Sequence, residues 1–264
     1  MSLPPILMNK NPDAPSVFEP SALLREARRQ KGIAAAAVPP ICVLDPDGDI
    51  VRRLRSSGHA KRSEVWPCYH TDLFDFPLAG ETAGIIGCAV GAPFAVLVAE
   101  ELFASGCRFL ISLTSAGQIM PAGTPPYFVI IDRALRDEGT SYHYAEADTF
   151  AEADPQIVAG AARALEAANL RAFVGPSWTT DAPFRETAEA VEAARAKGVM
   201  AVEMEAAALY AFARRTGNAV LCLAHVTNTM GRADADFEKG EADGTVDALN
   251  ILETLARTLR RPAR

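Results

Sequence analysis

Gly198-Val-Met-Ala-Val-Glu-Met-Glu-Ala-Ala-Ala-Leu-Tyr210 joins a short apolar run to an alanine-rich run through two carboxylates, Glu203 and Glu205, that flank Met204. Val199–Val202 has the length and composition of a buried strand. Glu205–Arg215 carries good helix formers and stops at Gly217, a residue suited to a left-handed C-cap. Acids are favourable near a helix N-terminus, so a charge pair at a helix start is one reading of Glu203 and Glu205. A sugar grip is the other. A carboxylate accepts hydrogen bonds from two adjacent hydroxyls, and a thioether gives the sugar ring a soft apolar wall.

Strand and helix alternate outward from this stretch. Ala219–Val226 is apolar at nearly every position, as a strand covered on both faces requires. Upstream, Phe184–Lys197 reads as a helix closed by Gly198, Ala172–Val174 as a strand, and Pro155–Ala168 as a helix with Asp154 as N-cap. Tyr127–Ile131, Arg108–Leu113, Ala83–Val90 and Ile41–Leu44 read as strands. Phe94–Ala104 reads as a helix opened by Pro93, and Thr245–Arg260 as a closing amphipathic helix. This alternation predicts an α/β fold: a single domain with a mostly parallel, twisted central sheet and helices on both faces. Residues 1–39 form a loop-rich, proline-rich segment with a short helix at Ser21–Lys31, and residues 40–264 form the folded domain. Ligands of such sheets bind beyond the C-terminal strand ends. The turns Asp45–Asp49, Gly91-Ala92-Pro93, Thr114–Gly117, Thr179–Asp181, Glu203–Glu205 and Thr227-Asn228 should therefore converge.

Composition narrows the functional classes. The 264 residues carry a net charge of −7, and the basic clusters at Arg25–Lys31 and Arg52–Arg55 are short and read as solvated helix faces. Nucleic acid is not an expected partner. No apolar run reaches the roughly 20 residues of a membrane span, and the N-terminus lacks the basic start and apolar stretch of a signal peptide. A cytoplasmic protein without a membrane partner is expected. The cysteines Cys42, Cys68, Cys88, Cys107 and Cys222 are scattered, with no Cys-x-x-Cys pair, and read as reduced thiols. Asp234, Asp236, Glu238 and Glu241 form an acidic loop without tight ligand spacing, so no metal site is expected.

The 198–210 stretch resembles the signature of the nucleoside phosphorylase family, which includes uridine phosphorylases and hexameric purine nucleoside phosphorylases, with nucleosidases as relatives. Other segments agree in order. Arg136-Asp-Glu-Gly-Thr-Ser-Tyr-His143 is similar to the family's Arg-x-x-Gly-x-Ser-x-His stretch. Gly91-Ala-Pro-Phe-Ala95 resembles its Gly-Gly-Pro-Ser-Ala helix start, Thr114-Ser-Ala-Gly117 its Gly-Thr turn, and Thr179-Thr-Asp-Ala-Pro-Phe184 its segment beside the base. The resemblance implies cleavage of the N-glycosidic bond of a nucleoside. Met204 and Glu205 would hold the ribose, with Glu203 as a secondary contact. Thr114 and the backbone at Gly91 and Gly117 would face the nucleophile. Asp181, Phe184 and Asn228 would surround the base. Asn228, Thr114 and His225 become the catalytic candidates, and Arg136 and His143 would line the site or a neighbouring subunit. The resemblance further implies a homo-oligomer, dimer-based or hexameric, and no cofactor, with phosphate as a candidate co-substrate.

The departures bear on the nucleophile. Phosphorolysis needs cations for the phosphate oxygens. The family's Gly-Asp-Pro-x-Arg segment is here Leu44-Asp-Pro-Asp-Gly48-Asp49, and its second phosphate arginine falls at Ile111. Three readings stay open: arginines from elsewhere (Arg52, Arg62 or Arg136, own or neighbouring) serve phosphate; water replaces phosphate; or the chain binds nucleosides without cleaving them. On the base side, Asn228 stands where purine enzymes use an aspartate. It donates hydrogen bonds but no proton at neutral pH. His225 is either a proton source or a buried, packed histidine.

Overall fold

The computed structural model describes residues 4–229 and 239–258. The acidic-loop residues Asp234, Asp236 and Glu238, and the expected helix end at Arg260, lie outside the described residues. In chain order the elements are α1 (Pro20–Lys31), β1 (Ile41–Asp45), α2 (Asp49–Ser56), β2 (Lys61–Arg62), β3 (Phe74–Leu78), β4 (Glu81–Gly87), α3 (Ala92–Ala104), β5 (Phe109–Gln118), β6 (Tyr127–Asp137), β7 (Phe150–Glu152), α4 (Pro155–Ala167), β8 (Ala172–Thr180), α5 (Ala188–Ala196), β9 (Ala201–Glu203), α6 (Ala206–Thr216), β10 (Ala219–Thr229) and α7 (Thr245–Thr258).

The caps behave as the sequence predicts. Asp154 accepts from the Gln156 N–H at 2.8 Å to open α4, and Gly217 closes α6 at φ +72°, a conformation that disfavours side chains. The expected helix over Phe184–Lys197 is instead two pieces. A short 3₁₀ turn spans Pro183–Arg185, and α5 starts afresh with Thr187 as its N-cap, accepting from the Ala190 N–H. A threonine hydroxyl competes for a backbone N–H most effectively at a helix start, and that is where the periodic run breaks.

The α/β architecture is borne out, with a more even balance of pairings than the expected mostly parallel sheet. Strands β1–β4, β1–β5, β5–β10, β6–β8 and β8–β9 pair in parallel, while β2–β3, β3–β4, β5–β9, β6–β7 and β6–β10 are antiparallel. Strands β5, β10, β6, β8 and β9 close into a ring, and β1, β4, β3 and β2 extend from it as a wing. Alternate residues of β10 serve two cores. Val220, Cys222, Ala224 and Val226 join the core capped by α3 and α6, and Leu221 and Leu223 join the core capped by α2, α4 and α7. This two-faced burial is why the strand is apolar throughout.

One break in the ladder positions the site. Along the edge of β5 away from β10, β1 pairs as far as Ser112 and β9 pairs only from Gly117. Leu113–Ala116 therefore have no strand partner on that edge, and the chain opens there at the C-terminal ends of β1 and β5.

Candidate active site

A cavity of about 310 Å³ fills this opening, at the small end of the range for small-molecule sites. Its walls come from Pro46 and Asp47 after β1, Val90 before α3, Thr114–Gly117 of β5, Pro183, Phe184 and Glu186 before α5, Val202–Glu205, and Thr227 and Asn228 of β10. The expected convergence of strand-end turns thus holds for most of the turns named.

The two carboxylates of the 203–205 segment have different surroundings. Glu203 is fully engaged: Oε1 accepts from the Ser177 hydroxyl at 2.9 Å and the Thr179 hydroxyl at 2.5 Å, and Oε2 from the N–H groups of Glu205 and Ala206, both at 2.7 Å. It caps the first turn of α6 and ties that turn to β8. Glu205 is 1% exposed, and its Oε1 accepts from the Gly91 N–H at 2.7 Å. Its Oε2 is buried without a hydrogen-bond partner among the described residues. Burial, and then the neighbouring Glu203 charge, push the Glu205 carboxyl up to about 8. Glu203 is also raised by burial, against the pull of its donors. Glu205 is thus held protonated at neutral pH, presenting an acceptor and a donor beside half-buried Met204. That pair of functions matches a diol.

Phe184 stands at the rim, 98% exposed. Glu186 follows the 3₁₀ turn and lines the cavity with no hydrogen bond or ion pair among the described residues, and burial raises it to about 7. Asn228 and Thr227 face it from β10. Asp47 reaches into the gap in the β5 ladder: Oδ2 accepts from the Ser115 N–H at 2.9 Å and Oδ1 from the Ser115 hydroxyl at 2.8 Å.

Of the sequence-predicted residues, Thr114, Gly117, Phe184, Glu203, Met204, Glu205 and Asn228 line this cavity. Gly91 touches it indirectly, because its N–H is spent on Glu205 rather than turned to a nucleophile. Asp181 lies outside the lining and accepts from the Gly139 N–H at 2.9 Å. His225 is likewise outside it. Its ring stacks on Phe128 at 4.4 Å and 9°, Nε2 is buried without a hydrogen-bond partner among the described residues, and burial holds it down at about 4. Arg136 stacks on Tyr142 and donates to the Ser141 hydroxyl and to the Glu146 and Ala145 carbonyls, facing a separate cleft of about 410 Å³ beside α6. His143 is exposed next to Lys10.

The two missing arginines have structural reasons. At Gly48, φ is +75°, and a Cβ would sit 2.7 Å from the Cys88 sulfur and 2.9 Å from the Arg52 guanidinium. Ile111 is fully buried in the core beneath α2, α4 and α7. The reading from sequence missed Asp47, Ser115 and Glu186. Helical periodicity hid Glu186, and the pairing of Asp47 with Ser115, 68 residues apart, has no local signal.

Fold and cavity together define an α/β protein whose strand-end site sets a half-satisfied buried carboxyl against a thioether. A model of the phosphorylase superfamily matches residues 40–260, and the chain belongs to that superfamily. It is 27% identical over 195 residues to a uridine phosphorylase of Thermococcus kodakarensis, covering 67% of this chain and 68% of that protein. It is 29% identical over 138 residues to a guanosine phosphorylase of Halorubrum lacusprofundi, covering 52% of this chain and 57% of the relative, a little over half that relative's length. The solved uridine phosphorylase of Vibrio fischeri ES114 superposes with a TM-score of 0.69 at 20% identity, over 85% of this chain and 93% of that one, a likeness of fold.

Proposed function

We propose that this chain cleaves the N-glycosidic bond of a nucleoside. The observation that carries the reading is the buried Oε2 of Glu205, without a partner of its own and set beside Met204 in a cavity of the right size. Ribose hydroxyls satisfy that atom. The base lies toward Phe184, Glu186 and Asn228, where a carboxyl and an amide meet ring N–H groups and carbonyls. Bond breaking places positive charge on the sugar, and the acidic wall of the cavity stabilises it.

The names of the relatives favour phosphate as the acceptor of the ribosyl group. Hydrolysis is the second reading, favoured by the occupation of both arginine positions and by the lack of any lysine or arginine among the described residues lining the cavity. The reading includes a cytoplasmic homo-oligomer. Five free cysteines suit a reducing compartment, and the exposed rim residues Phe184 and Val90 suit coverage by another copy.

The test is a panel of inosine, guanosine, uridine and 5′-methylthioadenosine, with freed base read by chromatography. Release from at least one nucleoside, lost in Glu205→Ala, is expected. Intact nucleosides that nonetheless raise the melting temperature would leave a binding protein in place of an enzyme.

A further inference from the structure

The part of the cavity lined by the β1 turn and β5 carries a group that the reading above does not use. Ser115 sits in the stretch of β5 that has no partner on one edge. Its N–H and hydroxyl point to one spot, a pair of donors that suits an oxyanion. Asp47 already occupies that spot with both carboxylate oxygens, at 2.9 and 2.8 Å. Among the described residues, Arg52 and Lys239 near this turn hydrogen-bond to groups other than the Asp47 carboxylate. The Arg52 guanidinium donates to the Asp49 carboxylate and to the Asp47 carbonyl, and Lys239 Nζ lies 2.6 Å from Asp49. No ion pair to the Asp47 carboxylate exists among the described residues.

We infer that Asp47 is a resident anion that fills the nucleophile position, excludes inorganic phosphate and leaves water as the attacking group. This rests on the proposed cleavage reaction and fixes its acceptor. The water oxygen bonds to C1′ as the C1′–N bond breaks, the bonding pair stays with the base nitrogen, and one water proton ends on the base. A phosphate dianion would have to displace Asp47 or lie against it, and like charges in contact repel. Asp47 is thus a specificity-determining residue.

The full chain is assayed on the nucleoside panel in phosphate-free buffer and with added orthophosphate. The sugar product is identified by chromatography, and orthophosphate binding is followed separately by calorimetry. The wild type should release base at the same rate in both buffers, yield free sugar, and show no heat of phosphate binding. Asp47→Ala should bind orthophosphate, and added phosphate should stimulate its cleavage by about tenfold or more, with sugar 1-phosphate among the products. Asp47→Asn, which keeps the shape and drops the charge, should bind phosphate more weakly than Asp47→Ala and guards against a misfolded alanine variant. Strict phosphate dependence of the wild type, or phosphate binding equal in wild type and Asp47→Ala, overturns the inference while leaving nucleoside cleavage intact. A wild type that binds no phosphate and cleaves nothing sinks the catalytic reading, and the binding difference between the variants still decides the role of Asp47.

Discussion

At the β9–α6 junction Glu203 answers buried donors, whereas at the β1–α2 junction Asp49 meets cations that reach solvent. Glu203 holds four donors with almost no solvent contact. Asp49, by contrast, pairs with an Arg52 side chain that is 61% exposed. The proposed sugar end of the cavity is therefore fixed by interactions that solvent barely screens, whereas the start of α2, beside the proposed nucleophile end, carries charges that water and salt weaken. Precise placement of a sugar needs the first kind of support. Choice of nucleophile is set by which charge stands in the way, and tolerates the second.

The largest effect should come from removing the support itself. Glu203→Ala strands four donors, each costing about 1–3 kcal/mol when buried unpaired. A loss of at least about 3 kcal/mol is expected, a fall in Tm of roughly 6–12 °C by calorimetry. A Tm within a degree of the wild type would show that the sugar end is no better anchored than the other. Glu205→Ala should separate function from support. It removes a destabilised buried carboxyl and strands one donor, the Gly91 N–H, so Tm should fall less than in Glu203→Ala, while kcat/KM for the preferred nucleoside falls by about 100-fold as hydrogen bonds to the sugar are lost.

The pH dependence of stability sharpens the contrast. Glu205 is raised in the folded state from 4.5 to about 8. Its contribution is present at low pH and disappears as pH rises through about 8. Wild-type Tm should decline between those values, and Glu205→Gln should flatten the decline. Asp45, buried at the other end and raised to about 7, contributes with the same sign, so part of the slope should survive in that variant. Next in size, Phe184→Ala should raise KM by about fivefold through lost stacking on the base. Because Phe184 is exposed, stability should stay within about 0.5 kcal/mol of the wild type. The smallest effect is expected from Arg52→Ala, under about 1 kcal/mol and vanishing at high salt, measured by denaturant titration.

Much of the molecule was legible in the residues. The unbroken apolar run of β10, the Asp154 and Gly217 caps, and the 198–210 stretch identified an α/β sheet and a carboxylate–thioether pair that lines the cavity, because capping and face burial are local or periodic properties. The break at Thr187 was not legible. Its neighbours continue a helical period, and a single hydroxyl decided the outcome. Nor were the roles within the acidic segments legible. Glu203 and Glu205 look alike in the chain, and only the placement of Ser177 and Thr179 on β8 makes one a structural clamp and leaves the other half free. His225 and Asp181 stood beside site residues in sequence, but strand alternation and loop path set both outside the cavity lining.

The sequence by itself determined most of the strands and helices of the central sheet and its layers, the acidic character of the turn at Asp45–Asp49, and the carboxylate–thioether pair at the start of α6. The tertiary structure alone decided that β5 would lose its edge partner between Ser112 and Gly117, and so where the cavity opens. It also decided that Asp47 would take the donors exposed there. The reason is physical: local propensity and hydrophobic period act over a few residues, whereas an unpaired strand edge is satisfied by whatever group the packed chain brings to it.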